Sequence, residues 1–504
     1  MLPFSHADLA LRRRQGRNQL QDSGDCAECV TEKNDRLSIL KEGRNCFRIA
    51  KAERAAVLID ACQYYERLEQ AFNRAKRSIL IIGWDFDGRI KLCPDHQNCP
   101  PIGEFLRALV EAHPELEVHI LVWSAAVIHA STDPRSLLVG APWQNHPRIK
   151  LRLDRHHPLY AAHHQKMVVV DDALAFVGGI DLTVRRWDTC GHNEADSFRI
   201  DPGGAAYDPV HDVQMVVNGE AARVIADVAR ERWRIATGQV VKPTGDMPDL
   251  WPSDLEPDFT DVPIAIARTV PAWGQTSEVA EIAALTIDLL SAARHSIYIE
   301  SQYFTASNVR RFIEKSLDAA HGPEIVVLVK RSSPGKLERF AMGANRDRLM
   351  RHMRLADRHN RLRFYYPVVV GKNGACEILV HSKVLVVDGK ILRIGSSNLN
   401  NRSMGLDTEC DLAIEASNDN QARAIARLRD RLLGEHLGVA PEAIAQACVE
   451  HGSLIRAIEA CRQTARGLRP FPEMDIEGPI EPVRGTALMD PAQPLTLLNR
   501  PPSS

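Results

Sequence analysis

A chain of 504 residues with 44% hydrophobic content can bury a large core and exceeds the usual length of a single one, so two or more domains are expected. A formal net charge of −2 removes any bulk electrostatic case for nucleic acid, and no run of eighteen apolar residues offers a transmembrane helix. Eleven cysteines, an odd count, suggest reduced thiols, and the start lacks the basic and apolar regions of a secretory signal, so residence in the cytoplasm or at the membrane periphery is expected.

Residues 1–43 are polar and irregular and read as a flexible lead-in. The pattern then becomes regular: strand Ala56–Ile59, helix Tyr64–Ala75, strand Ser78–Trp84, helix Ile102–Ala112, strand Glu117–Trp123 and strand Lys150–Leu153. Two apolar runs follow, Met167–Val170 and Ala173–Val177. Residues 241–274 carry several prolines and acidic residues and are expected to form a connecting loop with little regular structure. The earlier order then recurs: helix Ser277–Ala293, strand Ser296–Glu300, helix Val309–Ala320, strand Glu324–Val329, helix Gly335–Asn360, strand Leu362–Tyr366, and the apolar runs Val384–Val387 and Ile391–Ile394. Residues 441–504 read as a C-terminal helix and a proline-rich tail. Strands alternating with helices imply an α/β fold, and the repeated order implies two duplicated halves, 44–240 and 275–440. Each half should be a mixed sheet flanked by helices, with a pseudo-two-fold axis relating them and an active site between them.

The repeat is sharpest at two segments. His164-Gln-Lys166-Met-Val-Val-Val-Asp171 is followed by Gly178-Gly179-Ile-Asp181, and His381-Ser-Lys383-Val-Leu-Val-Val-Asp388 by Gly395-Ser396-Ser-Asn398. On a strand, residues i and i+2 share a face, so each histidine projects beside its lysine. Such a pair suits a phosphate: lysine supplies charge and donors, while histidine acts as nucleophile, acid or base near neutral pH. The small-residue turns would let backbone approach an anion closely. Two copies supply a nucleophile and a separate general acid, with the lysines and Asn398 holding the equatorial oxygens; the motifs require neither metal nor cofactor.

Both segments resemble the HKD motifs of the phospholipase D superfamily. The stretch His163–Asp181 followed by Arg186-Trp187-Asp188 is similar to phospholipase D proper rather than to the superfamily's small nucleases. Ile297–Tyr303 resembles the strand that opens the family's second half, and His211–Gln214 with Gly219–Ala222 the close of its first; the likeness runs from about Arg44 to Ala440. It implies His164 as nucleophile, His381 as leaving-group acid, and Lys166, Lys383 and Asn398 as phosphate ligands. Ser396, Gly178, Gly179, Gly395 and Asp181 fall on substrate-binding positions, although Asp181 stands where many members have asparagine. Asp212 and Glu409 match the carboxylates that orient the histidines; Asp212 is assigned to His164 and Glu409 to His381. Asp171 and Asp388 are expected to brace the site. The implied substrate is a glycerophospholipid at a membrane surface, with water or a primary alcohol as acceptor, no nucleic acid, and a monomeric protein. Family members delivered without a cleaved signal leave export open.

Rival readings are a phosphatidyltransferase of the cardiolipin-synthase kind, a nuclease and a non-catalytic phospholipid-binding protein. Cys26 with Cys29, and Cys93 with His96 and Cys99, carry zinc-ligand types at spacings that match no standard finger, and are read as incidental. His156, His157 and His192 are read as ordinary core or surface residues. The arginines of Gly335–Asn360 are read as a solvated face, and Trp143, Trp251 and Trp273 as loop residues open to two readings, ordinary loop packing or contact with a lipid interface.

Overall fold

The computed structural model describes residues 38–124, 141–245, 248–331, 343–372, 374–463, 465–472, 477–481 and 490–494. Residues 1–37 of the expected lead-in, with Cys26 and Cys29, 246–247 of the expected loop, 335–342 of the expected helix, and 464, 473–476, 482–489 and 495–504 of the C-terminal region lie outside them. The first half comprises β1 (Arg48–Ile59), α1 (Asp60–Arg74), β2 (Ser78–Gly83), α2 (Ile102–Ala112), β3 (Glu117–Trp123), β4 (Ile149–Asp154), β5 (Met167–Val170), β6 (Leu174–Gly178), β7 (Val210–His211), β8 (Val213–Asn218) and α3 (Gly219–Thr237). The second comprises β9 (Phe259–Val270), β10 (Val279–Ala280), α4 (Glu281–Ala292), β11 (Ser296–Ser301), α5 (Ser307–Asp318), β12 (Glu324–Leu328), α6 (Ala344–Ala356), β13 (Leu362–Gly371), β14 (Gly374–Glu377), β15 (Leu379–Val380), β16 (Lys383–Val387), β17 (Ile391–Gly395), α7 (Asn401–Gly405), β18 (Glu409–Glu415) and α8 (Asp419–Leu437). Helices α9 (Pro441–His451) and α10 (Leu454–Ala460) and strand β19 (Arg466–Pro470) follow.

Strand pairing is palindromic. The order β4-β3-β2-β5-β6-β8-β1 meets its mirror β9-β18-β17-β16-β11-β12-β13 at the antiparallel β1–β9 ladder, Arg48 opposite Ile266 through Ala55 opposite Phe259. The pseudo-two-fold therefore runs between two long strands, and one mixed sheet spans both halves. Residues from Ser38 onward pack as one unit, so the expectation of separate domains fails.

The period of two explains the packing. Ile79 and Ile81 of β2 face α1 and α2, whereas Leu80 and Ile82 face a core shared with Val384, Val386 and helices α3 and α8. A third cluster joins Leu385 and Val387 to α4 and α5. At about 1.5–3 kcal/mol per large apolar side chain buried, the shared core couples the halves strongly.

Three expectations need correction. Within 241–274, Phe259–Val270 is a strand at the centre of the molecule rather than loop. Its alternating Val262, Ile264 and Ile266 are fully buried, and Pro263 sits where β9 pairs with β1 but not yet with β18, so its missing N–H breaks no ladder. The C-terminal region holds two helices and then β19, which pairs with β13. Of the two readings of Trp143 and Trp251, packing holds, since both are buried in the first-half core. On α6, Arg346 donates to the Lys330 carbonyl, while Arg348 and Arg351 donate to carbonyls near 480, so these guanidinium groups are spent on the protein itself.

Candidate active site

Each motif histidine precedes a buried strand and is placed by a short parallel pairing with the opposite half. The His164 N–H donates to the Thr408 carbonyl at 2.9 Å, and the His381 N–H to the His211 carbonyl at 2.8 Å. Thr408 and His211 immediately precede Glu409 and Asp212. The register thus delivers each carboxylate to the histidine of the other half: His164 Nδ1 lies 3.1 Å from both Glu409 oxygens, and His381 Nδ1 lies 2.6 Å from Asp212 Oδ2. This reverses the pairing assigned from sequence. Crossed pairing is what the pseudo-two-fold requires once both motifs end at one interface.

Glu409 is fully buried and accepts from Ser396 Oγ at 2.5 Å and Ser403 Oγ at 2.7 Å. Ser396 therefore holds a carboxylate. The glycines are also explained by the sheet: a Cβ at Gly179 would sit 2.0 Å from Asp212 Oδ1, one at Gly395 2.0 Å from Asp411 Oδ1, and one at Gly178 2.4 Å from Gln214 Oε1. The N–H groups of Gly179 and Ser396 are bonded to the Val213 and Cys410 carbonyls, so these turns do not offer the anion-binding amides expected. Asp171 accepts the N–H groups of Lys76, Arg77 and Ser78 at 2.7–2.8 Å. Asp388 does the same for Arg294, His295 and Ser296.

Lys166, Lys383 and Asn398 are all buried. Lys166 Nζ lies 3.1 Å from Asp181 Oδ2, so Asp181 is a partner of the buried lysine. At the equivalent position Asn398 is neutral, and its buried Oδ1 has no hydrogen-bond partner. Lys383 donates to its own motif's His381 carbonyl and, held by burial, is pushed down to about 7. Burial, followed by Lys166 and Lys383, holds His164 well below the ordinary histidine range; burial, Lys383 and Arg186 do the same for His381. Burial lifts Glu409 to about 7 and raises Asp212. A carboxylate on Nδ1 fixes the tautomer, so each neutral ring directs its Nε2 lone pair away from its carboxylate. The result is two neutral bases amid buried cations, an environment an anion would relieve.

Arg186 is a residue the sequence reading quoted but did not place at the site. Its charge acts on His381, Lys383 and Asp212, its Nε is buried without a hydrogen-bond partner, and with Tyr65, Arg89, Thr183, Trp187 and Tyr207 it lines a cavity of about 270 Å³. Ser403 was likewise missed, since only the fold brings it to Glu409. His157 Nε2 lies 3.1 Å from Ser124 Oγ beside the first motif, while His192 is fully buried among carboxylates. Cys93, His96 and Glu69 come together; Cys99 Sγ accepts the Cys93 N–H, and all nine described cysteines are free. No described helix is long and apolar enough to cross a membrane.

A duplicated α/β sheet thus brings one histidine–lysine pair from each half to a single two-motif centre. Residues 71–250 match the family model described as phospholipase D, and 286–431 that described as cardiolipin synthase, PLD-like domain. The chain is 26% identical over 499 residues to a phospholipase D1 of Schizosaccharomyces pombe (77% of this chain, 36% of that protein). It is 22% identical over 470 residues to phospholipase D A of Dictyostelium discoideum (76% and 35%), and so spans about a third of the length of these relatives. Phosphatidylserine synthase of Haemophilus influenzae shares the fold, with a TM-score of 0.54 at 13% identity over 76% of this chain and 87% of the other. The chain belongs to the phospholipase D superfamily.

Proposed function

We propose that this chain is a phospholipase D, cleaving the distal phosphodiester bond of a glycerophospholipid to give phosphatidic acid and a free headgroup alcohol. The observation that carries the reading is the crossed pair of histidines, each with Nδ1 on a buried carboxylate of the opposite half, around Lys166, Lys383 and Asn398. His164 Nε2 attacks phosphorus as the bond to the headgroup oxygen breaks, and imidazolium His381 gives that oxygen its proton. The bound phosphodiester itself, by its negative charge, restores the proton on His381 that the empty site disfavours. Neutral His381 then takes a proton from water, which attacks phosphorus and breaks the P–N bond; an alcohol in place of water gives headgroup exchange. His164 is assigned as nucleophile from the family likeness, and its side chain is also the more open, 17% exposed against 8% for His381. Lys166, Lys383 and Asn398 stabilise the equatorial oxygens. Asp171 and Asp388 brace the strands.

A lipid substrate is further supported by apolar side chains left in water near the site. Leu159 and Tyr160 are about half exposed just before the first motif, as is Ile200 on the wall of the Arg186 cavity. The test is a panel of phospholipid vesicles assayed for headgroup release with and without a primary alcohol. His164→Ala should lower release at least about 10³-fold; release at the wild-type rate would refute the mechanism. The second reading, a cardiolipin-synthase-like phosphatidyltransferase, is favoured by the match of residues 286–431. Phosphatidylglycerol as sole lipid, with products identified by mass spectrometry, distinguishes it: diphosphatidyl product without phosphatidic acid would favour the transferase.

A further inference from the structure

Behind the strands that carry Asp212 and His381 lies a second charged cluster that phosphodiester chemistry does not use. Asp60 opens α1, His192 lies in the loop after Trp187-Asp188, His211 is in β7, and Glu435 is in the last turn of α8. Asp60, His192 and His211 are fully buried, and the Glu435 side chain is 7% exposed. His192 Nε2 lies 3.2 Å from Glu435 Oε1 and 3.4 Å from Asp60 Oδ2; His211 Nδ1 lies 2.7 Å from Glu435 Oε1 and 3.2 Å from Asp60 Oδ1. All four ligand atoms fall within 4.8 Å of one another. Zinc bonds of about 2.0–2.1 Å at tetrahedral angles place ligand atoms roughly 3.3 Å apart, so the cluster has the size of a metal site.

Two further features point to a cation. Asp60 Oδ2 is buried without a hydrogen-bond partner and is aimed at His192 Nε2. The far nitrogens are also held by carboxylates, His192 Nδ1 at 2.9 Å from Asp188 Oδ2 and His211 Nε2 at 3.0 Å from Glu300 Oε2. Ligating histidines are characteristically oriented in this way. Four carboxylates, Asp60, Asp188, Glu300 and Glu435, thus surround two imidazoles, with Arg199 beside Asp188 and His436 beside Glu300 as the other basic groups.

We propose that Asp60, His192, His211 and Glu435 form a buried tetrahedral zinc site that fastens the two halves behind the phosphate centre. Its N₂O₂ donor set is within the range zinc accepts, and loading displaces the two imidazolium protons, leaving neutral rings and two carboxylates around the dication. The zinc does not touch substrate. It fixes β7: the Asp212 N–H donates to Asp60 Oδ1 at 3.3 Å, the His211 carbonyl accepts from the His381 N–H, and Ser382 Oγ donates to Glu300 at 2.6 Å. The rival group Glu69, Cys93 and His96 has three donors with His96 exposed, and lacks an unpartnered buried atom, so it is the weaker site.

The test is elemental analysis of the full-length chain, purified without chelator or polyhistidine tag. About one zinc per chain is expected in the wild type and in Cys93→Ser, falling to background in His192→Ala and in the isosteric Glu435→Gln. Protein stripped under denaturing conditions and refolded with cobalt should show the visible absorption of tetrahedral Co²⁺, absent from Glu435→Gln. Folded wild-type protein free of metal, or zinc lost with Cys93 but kept at full stoichiometry in the His192 and Glu435 variants, overturns the proposal, and a different metal at these residues overturns the assignment to zinc.

Discussion

Burial leaves Lys383 with a proton affinity near neutrality, about 7, although its chemistry needs the ammonium. As pH rises through 7 the free enzyme loses this charge, so the decline of kcat/KM, which starts at lower pH where the empty site already disfavours the proton on His381, should steepen above about 7. A bound phosphodiester stabilises the ammonium, so the corresponding limb of kcat should lie at higher pH; coincident limbs would exclude Lys383 as its source. The acid limb should lie well below the ordinary histidine range, because burial and the neighbouring ammonium groups oppose protonation of His164. The crossed carboxylates give a second prediction at this scale. Asp212→Asn removes the anion that sets the His381 tautomer and should lower kcat on the order of 10²–10⁴-fold with KM little changed. Ser396→Ala removes one of two hydroxyl donors to Glu409 and should lower it less, roughly ten- to a hundredfold, since a hydrogen bond to a charged group contributes about 1.5–3 kcal/mol. Steady-state kinetics on both variants checks the order; equal losses would contradict it.

The motif aspartates work on elements rather than on substrate. Each sits at positive φ, 48° for Asp171 and 53° for Asp388, and gathers three N–H groups at the start of the neighbouring strand, β2 or β11. Asp171→Ala leaves the buried Ser78 N–H unpaired and hands the part-covered Lys76 and Arg77 N–H groups to water, so a loss of about 1–3 kcal/mol is expected in urea unfolding; a loss below about 0.5 kcal/mol would show that β2 is held otherwise. At this scale the sequence was most legible where one period dominated. The apolar runs after Lys166 and Lys383 became β5 and β16, because four consecutive buried residues bounded by polar signals have few other solutions. Strand β9 was obscured by Pro263 and Asp261, which are tolerated because that end of the strand has a neighbour on one side only. What no local pattern carried was register between the halves. Thr408 against His164 and His211 against His381 lie 244 and 170 residues apart in sequence, so the carboxylates were recognisable while their partners were not. Gly179 was similarly read as a phosphate turn, since the closeness of Asp212 exists only in the folded sheet. His192 looked ordinary for the same reason: Asp60 and Glu435, its neighbours, lie at opposite ends of the chain.

At the scale of the whole molecule, duplication has produced mutual dependence. Glu409 serves the histidine of the first half and Asp212 that of the second, so neither half contains a complete centre. The shared core is likewise split, with Leu80, Val169 and Val177 on one side and Val384, Val386 and Ile394 on the other. Strand β9 lies between β1 and β18, and its removal would bare a ladder edge on each half. A break is best placed between α3 and β9, next to the exposed Gly245 and Pro248, which leaves both strands intact. Fragments 1–247 and 248–504 expressed separately should be insoluble or molten, because each exposes the shared apolar face to water. Co-expressed, they should associate and recover headgroup release, since the β1–β9 ladder and the common core supply a large obligate interface. Pairing wild-type 1–247 with 248–504 carrying Glu409→Gln should then impair a centre whose His164 is intact, which is the signature of crossed assembly. A fragment 248–504 that is monomeric, unfolds cooperatively and turns over phospholipid alone would show that the halves are independent and that the crossed contacts are dispensable.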